Sequence, residues 1–216
     1  MEQLDKAAVI ARIKHDRAIA IIRTPSAEQA LATAQAVIAG GFKMVEITFG
    51  VPDATGVIAE LVKQNAPEIL FGAGTVLTRA HVNEAVDAGA QFLVSPCVLP
   101  EVIEAARERQ VTNLPGAFTP TEIYQAYSLG GDIIKLFPAV QSGPQYLKAI
   151  RGPLPDIPIV PTAGVTTANV AEWFGAGAIA VGAAGAVLDA TAIAKGNWNA
   201  VRELARQFMT AVLRAP

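Results

Sequence analysis

The stretch "DIIKLFPA", residues 132–139, sets an ammonium group inside an apolar, strand-like run, because Lys135 stands between Ile134 and Leu136. A lysine withdrawn from water suits one chemistry above others: its amine condenses with a ketone to give a Schiff base. At an unperturbed pKa near 10.4, only about one lysine in 2500 is neutral at pH 7. Low dielectric and a neighbouring cation both favour the free amine. Lowering the pKa to about 7–8 raises the nucleophilic fraction by some two orders of magnitude. The iminium so formed is an electron sink beside the bond that breaks. Two more charged residues lie within or just after comparable runs. Glu46 in "MVEIT" (44–48) would move protons, and Arg23 after "AIAII" (18–22) would hold a substrate carboxylate. The bland reading is a buried ion network, but desolvation makes buried charges poor stabilisers. Three of them at matching strand ends point to chemistry.

The other reactive residue types offer less. His15 and His81 fall on helical segments and read as surface residues, Cys97 after "SP" reads as a small packing residue, and no zinc-type spacing occurs. No metal or cofactor is expected. One cysteine cannot make an internal disulfide, no Asn-x-Ser/Thr site is present, and residues 1–17 read as an amphipathic helix, not an apolar leader. The longest uncharged stretch, Trp173 to Leu188, spans 16 residues with four glycines, too short and irregular for a bilayer. The expected location is cytoplasmic. The 216 residues are 52% hydrophobic and 17% charged, with a formal net charge of -2. That balance argues against nucleic acid or an anionic membrane as the main partner and leaves apolar surface for a subunit interface.

Positioning these side chains needs a scaffold. Short apolar or β-branched runs recur at 18–22, 44–48, 69–72, 91–95, 111–115, 132–137, 157–161 and 178–182. Helical periodicity fills the gaps, as in 26–40, 78–89 and 99–110. Gly40-Gly41, Gly89, Gly130-Gly131 and Gly177 stand where helices should stop, and Ser26, Thr78 and Thr119 where they should start. Eight strands apolar on both faces, alternating with helices, predict a parallel sheet covered by helices. The fold expected is a single (β/α)8 barrel over residues 1–216, one domain, with an additional N-terminal helix plugging its base. An open doubly wound sheet is the alternative, but no G-x-G-x-x-G follows the first strand. Residues 189–216 read as a terminal helix.

In such a barrel the C-terminal strand ends build the active site. Those ends carry Arg23, Glu46 with Thr48, Gly74-Thr75, Ser95-Pro96, Pro115-Gly116, Lys135, Thr162-Ala163-Gly164 and Gly182. One arginine, one glutamate and one lysine share the mouth with small residues and hydroxyls.

Seven blocks in order carry a family resemblance: "VEITFGVPDA" (45–54), "GAGTVL" (72–77), "FLVSP" (92–96), "LPGAFTPTE" (114–122), "IKLFPA" (134–139), "GPQYLKAIRGPLP" (143–155) and "PTAGV" (161–165). Together they resemble the 2-keto-3-deoxy-6-phosphogluconate (KDPG) aldolases from about residue 8 to 210. The resemblance implies a homotrimeric (β/α)8 class I aldolase of Entner–Doudoroff-type carbohydrate metabolism, cleaving a 2-keto-3-deoxy-6-phosphosugar acid to pyruvate and glyceraldehyde 3-phosphate. By motif match Lys135 would be the Schiff-base lysine and Glu46 the general acid/base. Arg23 and Thr75 would bind the carboxylate region, Thr162 would face the aldehyde portion, and Phe137 and Pro96 would pack around the imine.

Two departures stand out. Some members carry an arginine three residues after the glutamate, where this chain has Phe49, so Arg23 would take over that anion contact. The family usually shows "TGG" and "G-S" after strands 7 and 8, where this chain has "TAG" and "VGAAGAV". Ala163 replaces a glycine and Gly185 stands at the serine position, leaving amides of Gly164, Gly182 and Gly185 for phosphate. Losing one hydrogen bond to a charged group costs about 1.5–3 kcal/mol, roughly ten- to a hundredfold in binding. A non-phosphorylated 2-oxo acid is therefore the alternative substrate, as in a 4-hydroxy-2-oxoglutarate aldolase or an oxaloacetate decarboxylase. A non-enzymatic keto-acid-binding barrel, its lysine merely paired with Glu46, is the contrasting class.

Overall fold

Helix α1 (Lys6–Asp16) opens the computed structural model, which describes residues 4–216; the first three positions of the expected N-terminal helix lie outside the described residues. The chain continues as β1 (Ala18–Ile22), α2 (Ala27–Ala39), β2 (Met44–Thr48), α3 (Ala54–Gln64), β3 (Leu70–Gly74), α4 (Arg79–Asp87) and β4 (Phe92–Val94). Then follow α5 (Pro100–Glu108), β5 (Thr112–Leu114), β6 (Gly116–Ala117), α6 (Pro120–Ser128) and β7 (Ile134–Leu136). The last elements are α7 (Gly143–Arg151), β8 (Ile159–Pro161), α8 (Val170–Gly175), β9 (Val181–Ala183), α9 (Ala190–Ala194) and α10 (Trp198–Arg214). The expected caps act as such. Ser26 Oγ accepts from the Gln29 amide and Thr78 Oγ1 from the His81 amide, while Thr119 and Glu122 form a reciprocal capping box. After α4 and α8 the chain leaves through Gly89 (φ 97°) and Gly177 (φ 98°), backbone that side chains disfavour.

All strand pairings are parallel. They form a six-stranded sheet in the order β5-β4-β3-β2-β1-β9 and a three-stranded sheet in the order β6-β7-β8. The eight unbroken strands read from the sequence are thus corrected to nine segments. The break falls at Pro115, which lacks the amide hydrogen a ladder needs. Its carbonyl still accepts from the Lys135 amide at 3.0 Å, and the Asn113 carbonyl accepts from the Asp132 amide at 3.2 Å. At the other edges Thr162 bridges Gly182, and the Ile179 amide donates to the Ile159 carbonyl at 3.1 Å. The terminal helix is also corrected. Gly196 (φ 64°) ends α9, and the Asn197 side chain caps a separate α10 by accepting from the Ala200 amide.

Alternation along the strands sorts the apolar side chains into two clusters. The larger lies between strands and helices and includes Ala20, Ile22, Val45, Ile47, Phe71 and Leu136. The smaller joins Ile19 and Ile21, Met44, Leu70, Phe92 and Val94, Leu114, Ile133, Val160 and Ala180 with Val9 and Ile13 of α1. Helix α1 therefore closes one end of this second cluster.

Gly72 lies directly opposite Phe92 in the β3–β4 register, and a methyl group on it would overlap the Phe92 ring. Gly72→Ala is expected to destabilise the fold by about 1–3 kcal/mol in urea unfolding. Gly175→Ala, where a Cβ would meet nothing within 4 Å, should cost nothing and gain up to about 1 kcal/mol.

Candidate active site

Residues two positions along from the smaller cluster face the same way. By that alternation Arg23 follows Ile21, Glu46 and Thr48 follow Met44, and Gly72 and Gly74 follow Leu70. Likewise Pro96 follows Val94, Gly116 follows Leu114, Lys135 follows Ile133, Thr162 follows Val160 and Gly182 follows Ala180. The strand ends thus gather the residues singled out from the sequence at the end opposite α1. They differ in depth. Glu46 is 2% exposed, Thr162 5% and Lys135 7%, whereas Arg23 is exposed on the rim. The three charged residues are thus two buried ionisable groups with an exposed guanidinium at the rim, which departs from the fully buried ion network of the bland reading.

Among the described residues Lys135 has no ion-pair partner and no side-chain hydrogen bond; its Nζ lies 4.9 Å from the centre of the Phe137 ring. Lys6, by contrast, pairs with Asp132 at 2.9 Å. Lys135 Nζ is thus buried without a direct ionic partner among the described residues. Glu46 owes its position to Gly74. A methyl group there would overlap the Glu46 carboxyl, so the bare strand backbone makes the room. Burial pushes the Glu46 carboxyl above its ordinary pKa of 4.5, and the charges of Lys135 and Arg23 only partly oppose the shift.

On the rim, Arg23 Nη2 donates to Thr75 Oγ1 at 3.1 Å. Gly50 lies beside the same guanidinium, where a Cβ would come within 3.1 Å of Arg23 Nη1. Thr75 has φ 58°, a left-handed conformation costing a β-branched residue about 1–3 kcal/mol. Across the mouth Ala163 (φ 70°) and Gly164 (φ 86°) are also left-handed, and neither the Gly164 nor the Gly185 amide has an acceptor among the described residues. Gly185 is exposed, and Gly182 leaves space that Thr162 fills. A cavity of about 310 Å³ opens between Pro96, Gly116 and Phe137 at the strand ends and Phe118 and Glu122 at the start of α6.

The sequence places Thr48 and Gly74 at the mouth but assigns them no role, and it carries no sign of Gly50. Gly74 and Gly50 act by having no side chain, and Thr48 contributes a buried hydroxyl that has no hydrogen-bond partner among the described residues. His81, expected on the surface, is half-buried and stacks on Phe49 beside the mouth. Among the described residues no three His, Cys, Asp or Glu side chains gather, and no helix is long and apolar enough to cross a membrane.

Comparison with known proteins gives a consistent result. The profile of the "KDPG and KHG aldolase" family matches residues 9–204. The 2-dehydro-3-deoxy-6-phosphogalactonate aldolase of Escherichia coli K12 is 39% identical over 165 residues, 76% of this chain and 80% of that one. The KDPG aldolase of Legionella pneumophila, solved with pyruvate captured as a covalent carbinolamine intermediate, superposes with a TM-score of 0.83 at 31% identity, covering 91% of this chain and 95% of that one. A cube-shaped cage designed by fusing symmetric oligomeric domains superposes with a TM-score of 0.84 at 34% identity, covering 91% of this chain and 72% of that one.

The raised proton affinity of Glu46 has a consequence for stability. A carboxyl that binds its proton more tightly folded than unfolded stabilises the fold below its ordinary pKa of 4.5. That contribution is lost as pH rises through the folded-state value. Glu46→Gln should therefore match the native chain near pH 4 and exceed it increasingly towards pH 8 in urea unfolding. An equal difference at both pH values would contradict the burial argument.

Proposed function

The chain belongs to the KDPG and KHG aldolase family, and from that premise we propose that it cleaves KDPG, or a closely related 2-keto-3-deoxy acid, to pyruvate and glyceraldehyde 3-phosphate through a Schiff base on Lys135. The observation that carries this reading is the buried amine of Lys135, without an ion-pair partner among the described residues, whose charge acts on a buried Glu46 that holds its proton more tightly than an ordinary carboxyl. The free amine adds to the C2 ketone. The carbinolamine then loses water, with Glu46 supplying the proton that leaves with the hydroxyl. The iminium draws the electron pair of the C3–C4 bond while Glu46 takes the C4 hydroxyl proton, releasing the aldehyde and leaving an enamine. Protonation at C3 and addition of water free pyruvate and restore the lysine. Raised proton affinity lets one carboxyl donate and accept in turn. Arg23 and Thr75 receive the carboxylate, Thr162 faces the aldehyde portion, and Pro96 and Phe137 flank the imine. Amides of Gly164, Gly182 and Gly185 meet the phosphate.

We further infer that the two sheets are arcs of one closed (β/α)8 barrel. Support comes from the Lys135–Pro115 and Ile179–Ile159 hydrogen bonds across both seams and from the apolar cluster that strands of both sheets share with α1. On this reading residues 1–216 are one domain. A homotrimer follows from the family resemblance and fits the symmetric oligomeric domains of the similar designed cage and the exposed Tyr124 and Val140. We also propose a cytoplasmic location, in keeping with a single cysteine that can make no internal disulfide.

Incubation with pyruvate and cyanoborohydride should add one reduced pyruvate to Lys135, seen by peptide mass, and Lys135→Met should abolish it. No adduct on Lys135, or one that persists in the variant, would overturn the mechanism. Pyruvate release from KDPG, its dephospho analogue and 4-hydroxy-2-oxoglutarate then ranks the substrates, with KDPG expected first. Ala163→Gly removes a left-handed alanine and should stabilise the fold by about 1 kcal/mol while lowering KM for KDPG and leaving the dephospho analogue unaffected.

A further inference from the structure

The proposed reaction makes no use of His81 or Phe49, yet their rings lie parallel, 4.1 Å between centroids and 10° apart in tilt. Phe49 belongs to the loop after β2, three residues beyond Glu46, and His81 to the first turn of α4. The segment between β3 and α4 carries Thr75, whose left-handed backbone persists only where surroundings fix it. Three hydrogen bonds do so. The Phe49 amide donates to the Gly74 carbonyl at 2.8 Å, the Val76 amide to the Val94 carbonyl at 3.1 Å, and the Leu77 amide to His81 Nδ1 at 3.3 Å. The His81 amide in turn donates to Thr78 Oγ1 at 3.1 Å. This is a capping box with imidazole in place of the usual Glu or Gln, reaching back to the residue before the cap. It leaves Thr75 between a bonded Gly74 carbonyl and two bonded amides, with its Oγ1 accepting from Arg23.

We propose that His81 is a positioning residue: its Nδ1 on the Leu77 amide and its ring against Phe49 hold Thr75 so that the Arg23–Thr75 pair meets the substrate carboxylate. The inference rests on the carboxylate role proposed for that pair. It differs from a cap that only stabilises α4, because a cap alone would leave pyruvate affinity unchanged.

Pyruvate affinity is read as the half-saturating concentration for cyanoborohydride trapping at Lys135, and independently as the pyruvate-dependent rise in unfolding temperature. Should the unsubstituted chain form no adduct, the Schiff-base reading fails alone and the thermal readout still tests His81. His81→Ala is expected to raise half-saturation about tenfold with the maximal trapping rate within about threefold. His81→Asn, whose Oδ1 can accept from the Leu77 amide, should recover to within about threefold of the starting affinity, whereas His81→Phe keeps a ring without the acceptor and should stay weak. Arg23→Ala combined with His81→Ala should be no weaker than Arg23→Ala alone. Half-saturation within twofold of the starting value in His81→Ala, an Asn variant as weak as the Ala variant, or losses that multiply in the double variant would overturn the proposal. If His81→Ala does not fold, the Asn and Phe variants decide it.

Discussion

Two buried ionisable side chains share the C-terminal end of the strands with no ion pair between them among the described residues, and most of the architecture around them follows from that. Taking Glu46 and Lys135 out of water is unfavourable, and buried charges ordinarily appear paired. Here the carboxyl responds by holding its proton more tightly, and the amine faces an aromatic ring instead of an anion. At neutral pH such a pair opposes folding. The large outer cluster between strands and helices must outweigh it, which fits a chain 52% hydrophobic and only 17% charged.

Absent side chains shape the interior as much as present ones. Gly74 makes room for the Glu46 carboxyl, Gly182 for Thr162 and Gly72 for the Phe92 ring, while Gly116 lets the backbone at Pro96 approach closely. In each case a small residue on one strand faces a larger group on its neighbour, the interdigitation expected of layered inward-facing positions. Adding one methyl at Gly74 would therefore displace the Glu46 carboxyl as well as disturb packing. Gly72 sits one layer deeper, where only packing is at stake.

Much of this was legible in the sequence because it depends on periods of two and on cap residues. β1 and β2 fall on the expected runs 18–22 and 44–48, and Ser26, Thr78 and Thr119 cap the helices they precede. The single expected fifth strand failed at Pro115, since an apolar run signals burial but not whether every amide is present to pair. The helix expected over 189–216 failed at Gly196 because the apolar spacing of α10 extends backwards into α9 without marking the turn. In the site, charge type picked out Lys135, Glu46 and Arg23. Depth did not follow from type, so the exposed Arg23 and the half-buried His81 became visible only in three dimensions. The left-handed backbone of Thr75 lay outside sequence reasoning altogether, because threonine is among the residues least suited to it.

That threonine points to a division of labour within the mouth. The deep positions, Glu46, Lys135 and Thr162, lie on or next to regular strands, whose ladders fix them without local strain. The rim positions differ. Thr75 on one side and Ala163 with Gly164 on the other are left-handed, and all lie within three residues of their strand ends. A strand continuing straight would carry its next donors past the site; a left-handed residue turns the chain sharply. On the proposed reading the substrate carries an anion at each end, a carboxylate towards Arg23 and Thr75 and a phosphate towards Gly164. The strain then sits where anions must be met, and the covalent chemistry between them rests on relaxed backbone. Glycine bears that strain without cost at position 164, whereas Thr75 and Ala163 bear it at a cost that the surrounding contacts must offset. Tolerance to substitution in this mouth is accordingly set by backbone conformation at the rim and by free volume in the depth.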